Sequence, residues 1–190
     1  MAAYAVQTNV LKPVLRQAVV SDAGIIARVH TESWRSSYRG MLSDDYLDGG
    51  IVEERQPYWQ KTLNAPQPER RHVLVAEKDK VLIAFVSVFL DEEPQYGALL
   101  HNLHVLPTWK GQGVGRLLVS EAARWTLLQD VKQMHLWVFK VNHEARKFYD
   151  ALEGKIVEEK LQTVAGNVER NLLCYLWTDL NFLANLKEKR

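Results

Sequence analysis

Leu103-His104-Val105-Leu106-Pro107-Thr108-Trp109-Lys110-Gly111-Gln112-Gly113-Val114-Gly115-Arg116-Leu117-Leu118 is the stretch that decides how this chain is read. An apolar strand ends at a proline, three glycines alternate, and a helix begins. Glycine lets the backbone approach a ligand with no Cβ in the way. The first turn of a helix carries unsatisfied N–H groups and a partial positive charge. Together these features make a phosphate cradle, although a turn that merely opens a helix would look similar. Walker A requires Gly-Lys-Ser/Thr at the loop end, and here Arg116-Leu117 follows Gly115. The dinucleotide fingerprint needs a GxGxxG spacing, and this loop has GxGxG.

Outward from the loop, the pattern reads β-α-α-β-β-β-α-β-α-β-β. Strands are expected at about 14–19, 72–76, 81–90, 98–106, 134–141, 155–163 and 168–177. A first helix runs from a cap at Ser21 or Asp22 to about Tyr38, with Ile25, Ile26 and Val29 on one face. A second runs from about Ser43 into the sixties, is interrupted near Gly49-Gly50 and is closed by Pro66 and Pro68. A third covers Gly113 to Gln129, with Val114, Leu117, Leu118, Ala122, Trp125 and Leu128 sharing a face. Asn142 to Leu152 forms a short helix, and the last dozen residues read as a frayed one. Lys187-Glu188-Lys189-Arg190 reads as a solvated helix end.

The 190 residues suit one domain over 1–190, an α/β fold in which a mixed sheet of about seven strands is flanked by about four helices. A net charge of +1 gives no field that favours nucleic acid or an anionic membrane. No apolar run approaches the length of a membrane span, and no signal peptide is evident, so a cytoplasmic location is expected. Cys174, the one cysteine, lies in an apolar run and reads as core. No Cys/His spacing suggests a metal site. Apolar Leu172, Tyr175 and Trp177 near the end suggest a possible homodimer, which core burial would explain equally well.

The glycine loop resembles the central motif of the GNAT superfamily of N-acetyltransferases, Arg/Gln-x-x-Gly-x-Gly/Ala, with Lys110 at the first position and Gly113 and Gly115 matching. Lysine keeps the charge there but loses the planar fork of arginine. A second stretch, Asn142-His143-Glu144-Ala145-Arg146-Lys147-Phe148-Tyr149, with Gly154 beyond it, resembles the family's other signature. Asn142 is also a good helix N-cap and Gly154 sits past the helix end, so capping alone accounts for those two.

The resemblance implies acetyl-CoA as co-substrate. Its pyrophosphate would lie on the amides of Lys110, Gly111, Gln112, Gly113, Val114, Gly115 and Arg116. Its pantetheine arm would pair with the strand edge at Leu103, His104 and Val105, beside Asn142 and Phe148. Tyr149 would serve the departing sulfur as acid, since a phenol (pKa about 10) is near a thiol (about 8.5). His101 is the expected base, His104 a weaker one, and Glu32 and His30 are outside choices. At odd separation, His101 and His104 face opposite sides of a strand unless a bulge intervenes, which puts His101 with Leu103 and Val105.

Ser33-Trp34-Arg35-Ser36-Ser37-Tyr38-Arg39-Gly40 is similar to a string in many bacterial small-molecule acetyltransferases. Trp34 and Tyr38, at i and i+4, would wall the acceptor pocket or simply pack the helix on the sheet. Asp44, Asp45 and Asp48 could attract a cationic amine or form a solvated face. The expected partner is a small-molecule amine, with no nucleic acid, membrane or metal. A protein N-terminus or lysine as acceptor, or a non-catalytic acyl-CoA-binding module, are the alternatives.

Overall fold

The computed structural model describes residues 12–65 and 70–186. Pro66, Pro68 and the basic C-terminal stretch lie outside them. The elements are β1 (Val14–Gln17), α1 (Ala23–Ser37), α2 (Ile51–Leu63), β2 (Arg71–Lys78), β3 (Val81–Phe89) and β4 (Ala98–Val105), then α3 (Val114–Leu128), β5 (Met134–Phe139), α4 (His143–Asp150), β6 (Lys155–Val164), β7 (Val168–Trp177) and α5 (Leu180–Ala184). The strands form one seven-stranded sheet in the order β1-β2-β3-β4-β5-β7-β6. Among the described strands, only β4 and β5 run parallel, as expected when a helix, here α3, crosses between them.

Each face of the sheet has its own apolar layer. Behind it, Leu118, Ala122 and Ala123 of α3 pack on Val86, Leu100 and Leu136. In front, Ile26 and Val29 of α1 and Trp59 of α2 pack on Val75 and Phe85. Ile25 and Leu128, expected inward, are exposed at 44% and 80%. Ile26 already fills the α1 seam next to Ile25, and Leu128 ends its helix beyond the sheet. Asp22 starts α1, but its carboxylate turns back to accept from Arg16 Nη1 at 2.7 Å and from Val19 N–H at 2.8 Å. The expected interruption at Gly49-Gly50 is a π-helical turn, Tyr46–Gly50, that runs straight into α2.

A fifth helix corrects the expectation of a frayed end. In α5, Leu180 and Leu183 are buried against the rear core, while Ser120 Oγ and Arg124 Nε both donate to Ala184 O, at 3.0 and 2.8 Å. Leu172, Tyr175 and Trp177 are likewise buried in the chain's own core, which removes the apolar surface behind the expectation of a dimer. No helix among the described residues is long and apolar enough to cross a membrane.

Gly154 has a reason other than capping. The left-handed residue after α4 is Glu153 (φ 63°), and a Cβ on Gly154 would lie 2.8 Å from ring atoms of both Tyr175 and Trp177. Neither ring can retreat freely, because Tyr175 donates to Asp150 at 2.8 Å and Trp177 donates to Leu152 O at 2.7 Å. Gly154→Ala should therefore cost about 1–3 kcal/mol of stability by overpacking, read as a lower urea midpoint at unchanged slope.

Candidate active site

The sheet opens at its only parallel seam. β4 and β5 pair at Ala98↔Met134 and Leu99↔His135, and no further. Beyond that point β4 stays bonded to β3 and β5 to β7, so two facing strand edges are left unpaired. The divergence coincides with a bulge in β4. Asn102 lies opposite Ser87 and Leu100 opposite Val88, which leaves His101 as the extra residue. A cleft of about 360 Å³ fills the gap, lined by the β4 edge from Leu100 to Val105, by Leu136 to Val138, and by the glycine loop and α4.

The loop at the cleft's end is built as a cradle. Gly111 (φ 75°) and Gly113 (φ 85°) hold left-handed conformations that favour glycine, and a Cβ at either would meet no atom. The first loop-to-helix bond is Leu117 N–H to Gly113 O at 3.0 Å. The amides from Gly111 to Arg116 have no hydrogen-bond partner among the described residues. These donors, at the start of the 15-residue helix α3, fit a pyrophosphate. Lys110, Gly111, Gly113, Gly115 and Arg116 line the cleft. The Gln112 side chain turns aside, its Nε2 donating to Thr108 O at 2.9 Å, and Val114 is buried in the core. Lys110 Nζ donates to Ser37 Oγ at 3.0 Å and lies 3.7 Å from Glu144, bridging α1 and α4.

The two motifs meet in space. Phe148 approaches Gly115 so closely that a Cβ there would lie 3.4 Å from its ring. Asn142 caps α4 by accepting from Ala145 N–H at 3.1 Å. Tyr149 lines the same cleft, with its ring against Tyr175 and Trp177. Its hydroxyl has no hydrogen bond among the described residues, and burial pushes its pKa up, so it stays a proton-bearing phenol at neutral pH.

On the front wall the bulge overturns one expectation. His101 leaves the face of Leu103 and Val105, which pack toward the rear core, and joins Asn102 and His104 beneath α1 and α2. Its Nδ1 accepts from Asn102 Nδ2 at 2.6 Å and Tyr58 Oη at 3.3 Å, which puts the ring proton on Nε2. His104 is held differently: Trp34 Nε1 donates to its Nε2 at 3.3 Å, and its Nδ1 lies 3.1 Å from Ser33 Oγ. Trp34 and Tyr38 touch edge to face at 5.0 Å, yet only Tyr38 lines the cleft. Trp34 stands behind it as the clamp on His104. Ser33, which opens the string on α1, lines the cleft too; Asn102 and Trp137 also line it and were missed in the sequence, where nothing in their spacing marks them.

The pattern of the Acetyltransferase (GNAT) family matches residues 31–153, well over half of the chain. This chain belongs to the GNAT acetyltransferase family. It is an acyltransferase by that membership. The uncharacterized N-acetyltransferase YuaI of Bacillus subtilis (strain 168) is 28% identical over 175 residues, covering 90% of this chain and 96% of the relative. A spermidine N(1)-acetyltransferase of Thermoplasma acidophilum is 24% identical over 139 residues, covering 71% of this chain and 83% of the relative. The crystal structure of the PaiA N-acetyltransferase of Thermoplasma acidophilum in complex with coenzyme A shares the fold, with TM-score 0.69, 21% identity and coverage of 86% and 98%.

Burial governs the titration of two of this acetyltransferase's histidines, His104 and His30. Desolvation, then the charge of Arg55, lowers His104 to about 3. Desolvation also carries His30 well below its ordinary value; its Nδ1 accepts from Trp59 at 3.1 Å and its Nε2 is buried without a partner. Both rings are neutral in the folded chain and take up a proton on unfolding below about pH 6.5. Stability is therefore full above that pH and falls as the pH drops toward the folded values. Each ring contributes a slope of up to about 1.4 kcal/mol per pH unit. Urea midpoints should fall between about pH 7 and 5, and His104→Gln should remove its share of the slope.

Proposed function

We propose that this acetyltransferase moves the acetyl group of acetyl-CoA directly to the primary amine of a small molecule. The observation that carries this reading is the parallel seam that opens after two pairs. It leaves a bare strand edge leading from the amide cradle to the unpartnered hydroxyl of Tyr149. An edge of unpaired N–H and C=O groups suits an amide-bearing arm laid in like an added strand. The coenzyme A held by the PaiA neighbour and the amine acetylated by the spermidine relative support the same chemistry.

In this reading the amides from Gly111 to Arg116 hold the pyrophosphate, while the Lys110 N–H is taken by Pro107 O at 3.3 Å and Lys110 contributes only its side-chain charge. The β4 edge at Leu103, His104 and Val105 takes the pantetheine arm, with Asn142 and Phe148 fixing α4 beside it. The amine nitrogen bonds to the carbonyl carbon and the carbon–sulfur bond breaks. Tyr149 donates its hydrogen bond, and then its proton, to the departing sulfur, while the amine gives up its own proton to water. His101 is poorly matched to removing that proton. Desolvation, helped by Arg55 and Arg71, lowers it to about 4, far below an alkyl ammonium near 10. We assign it instead a neutral role, presenting Nε2–H to the acceptor.

Tyr149→Phe should lower turnover by roughly 10- to 1,000-fold with acetyl-CoA affinity unchanged, followed by thiol release and calorimetry. Wild-type turnover would remove Tyr149 from this role. Gly113→Asp should abolish acetyl-CoA binding, because it strains a φ of 85° and sets a carboxylate against the pyrophosphate. Undiminished affinity would overturn the cradle assignment.

A further inference from the structure

The acceptor side of the cleft is electrically lopsided. His101 stacks on Phe89, with ring centroids 4.9 Å apart and planes at 21°, and lies near-parallel to Tyr58 at 6.3 Å. Each of those rings carries a guanidinium. Arg55 Cζ sits 5.3 Å from the Tyr58 centroid and 5.2 Å from that of Trp34, and Arg71 Cζ sits 5.1 Å from that of Phe89. Two arginines thus lie one ring behind His101, which lines the cleft, while they themselves stand outside its lining.

Their charges are incompletely answered. Arg55 Nη2 meets Glu54 at 3.0 Å, but the same carboxylate oxygen also accepts from Tyr46 at 2.7 Å. Arg55 Nε is buried with no partner. The Arg71 guanidinium has neither an ion pair nor a hydrogen bond among the described residues and rests only on the Phe89 ring. Two of the three acids that might have drawn a cation are engaged elsewhere: Asp44 accepts from Arg39 at 2.7 Å, and Asp48 pairs with Arg39 as well, while Asp45 is exposed and lies outside the cleft lining. A buried donor without an acceptor is costly, and a guanidinium fork matches a carboxylate or phosphate.

We propose that the acceptor amine also carries an anionic group, a carboxylate or a phosphate, received by Arg55 and Arg71 beside the Nε2–H of His101. This rests on the reading of the cleft as the site of acetyl transfer and names its substrate class. The same cations would favour the neutral form of the incoming amine, which is the form that attacks. A plain polyamine would bring its charges against two guanidinium groups.

Matched pairs test this: lysine with cadaverine, tyrosine with tyramine, and phosphoethanolamine with ethanolamine, each with saturating acetyl-CoA and thiol release as readout. At least one anionic member should exceed its plain partner by about tenfold or more in kcat/KM, as expected for a charge-assisted contact. Arg71→Met should collapse that preference, chiefly through KM. Arg55→Lys, which keeps the charge but loses the fork, should reduce it in part. The carboxylate and phosphate arms distinguish the two anions. The same pairs titrated calorimetrically into the protein with coenzyme A present give an affinity ratio that needs no turnover. The proposal is overturned if no anionic member is favoured in either measurement, or if the preference survives Arg71→Met. Loss of acetyl-CoA binding would instead sink the acetyl-transfer reading, and the affinities of the pairs measured without cofactor would still decide this one.

Discussion

The divergence of β4 from β5 after Leu99↔His135 is the constraint on which the rest of the site depends. A parallel pair that continued would satisfy both strand edges and close the cleft. Instead the bulge at His101 bends β4 while β3 still holds its other edge. The polar groups thus released stay near solvent in the cleft, where an extended ligand can take them up. The loop after β4 then starts α3 at the mouth of that opening, so its free amides and the bare strand edge form one continuous surface.

The front wall shows a different balance. α1 is seated on the sheet through polar groups as well as apolar ones: Ser33 and Trp34 fix the ring of His104, and Trp59 fixes that of His30. The two imidazoles stack at 4.3 Å, which is tolerable because burial keeps both uncharged. Arg55 adds to that pressure from α2. One arrangement therefore serves both helix docking and histidine protonation.

The chemistry of the site is unevenly distributed between its walls. The rear and end walls, with the glycine loop and Tyr149, come from the two sequence motifs, both within the residues that the family pattern matches. The front wall is built from residues scattered over α1, α2, β2 and β4, which come together only in the folded chain.

Features within reach of one local segment were legible in the sequence. They include the alternating glycines, the Asn142 cap, the i,i+4 pair Trp34 and Tyr38, and the order of strands and helices, because capping, periodicity and backbone freedom act over a few residues. The face of His101 was not legible, since a bulge is a property of two strands in register and appears only when Ser87 and Val88 are set against β4. The docking of α5, the real reason for Gly154, the retreat of Trp34 behind Tyr38, and the clustering of Arg55 and Arg71 around His101 belong to the same class. Each depends on which surface arrives from a distant part of the chain. The sequence by itself determined the family and the glycine turn that opens α3. Tertiary structure decided which way the side chains face, how they ionise, and what the acceptor pocket offers, because burial and register are set by residues far apart in the chain.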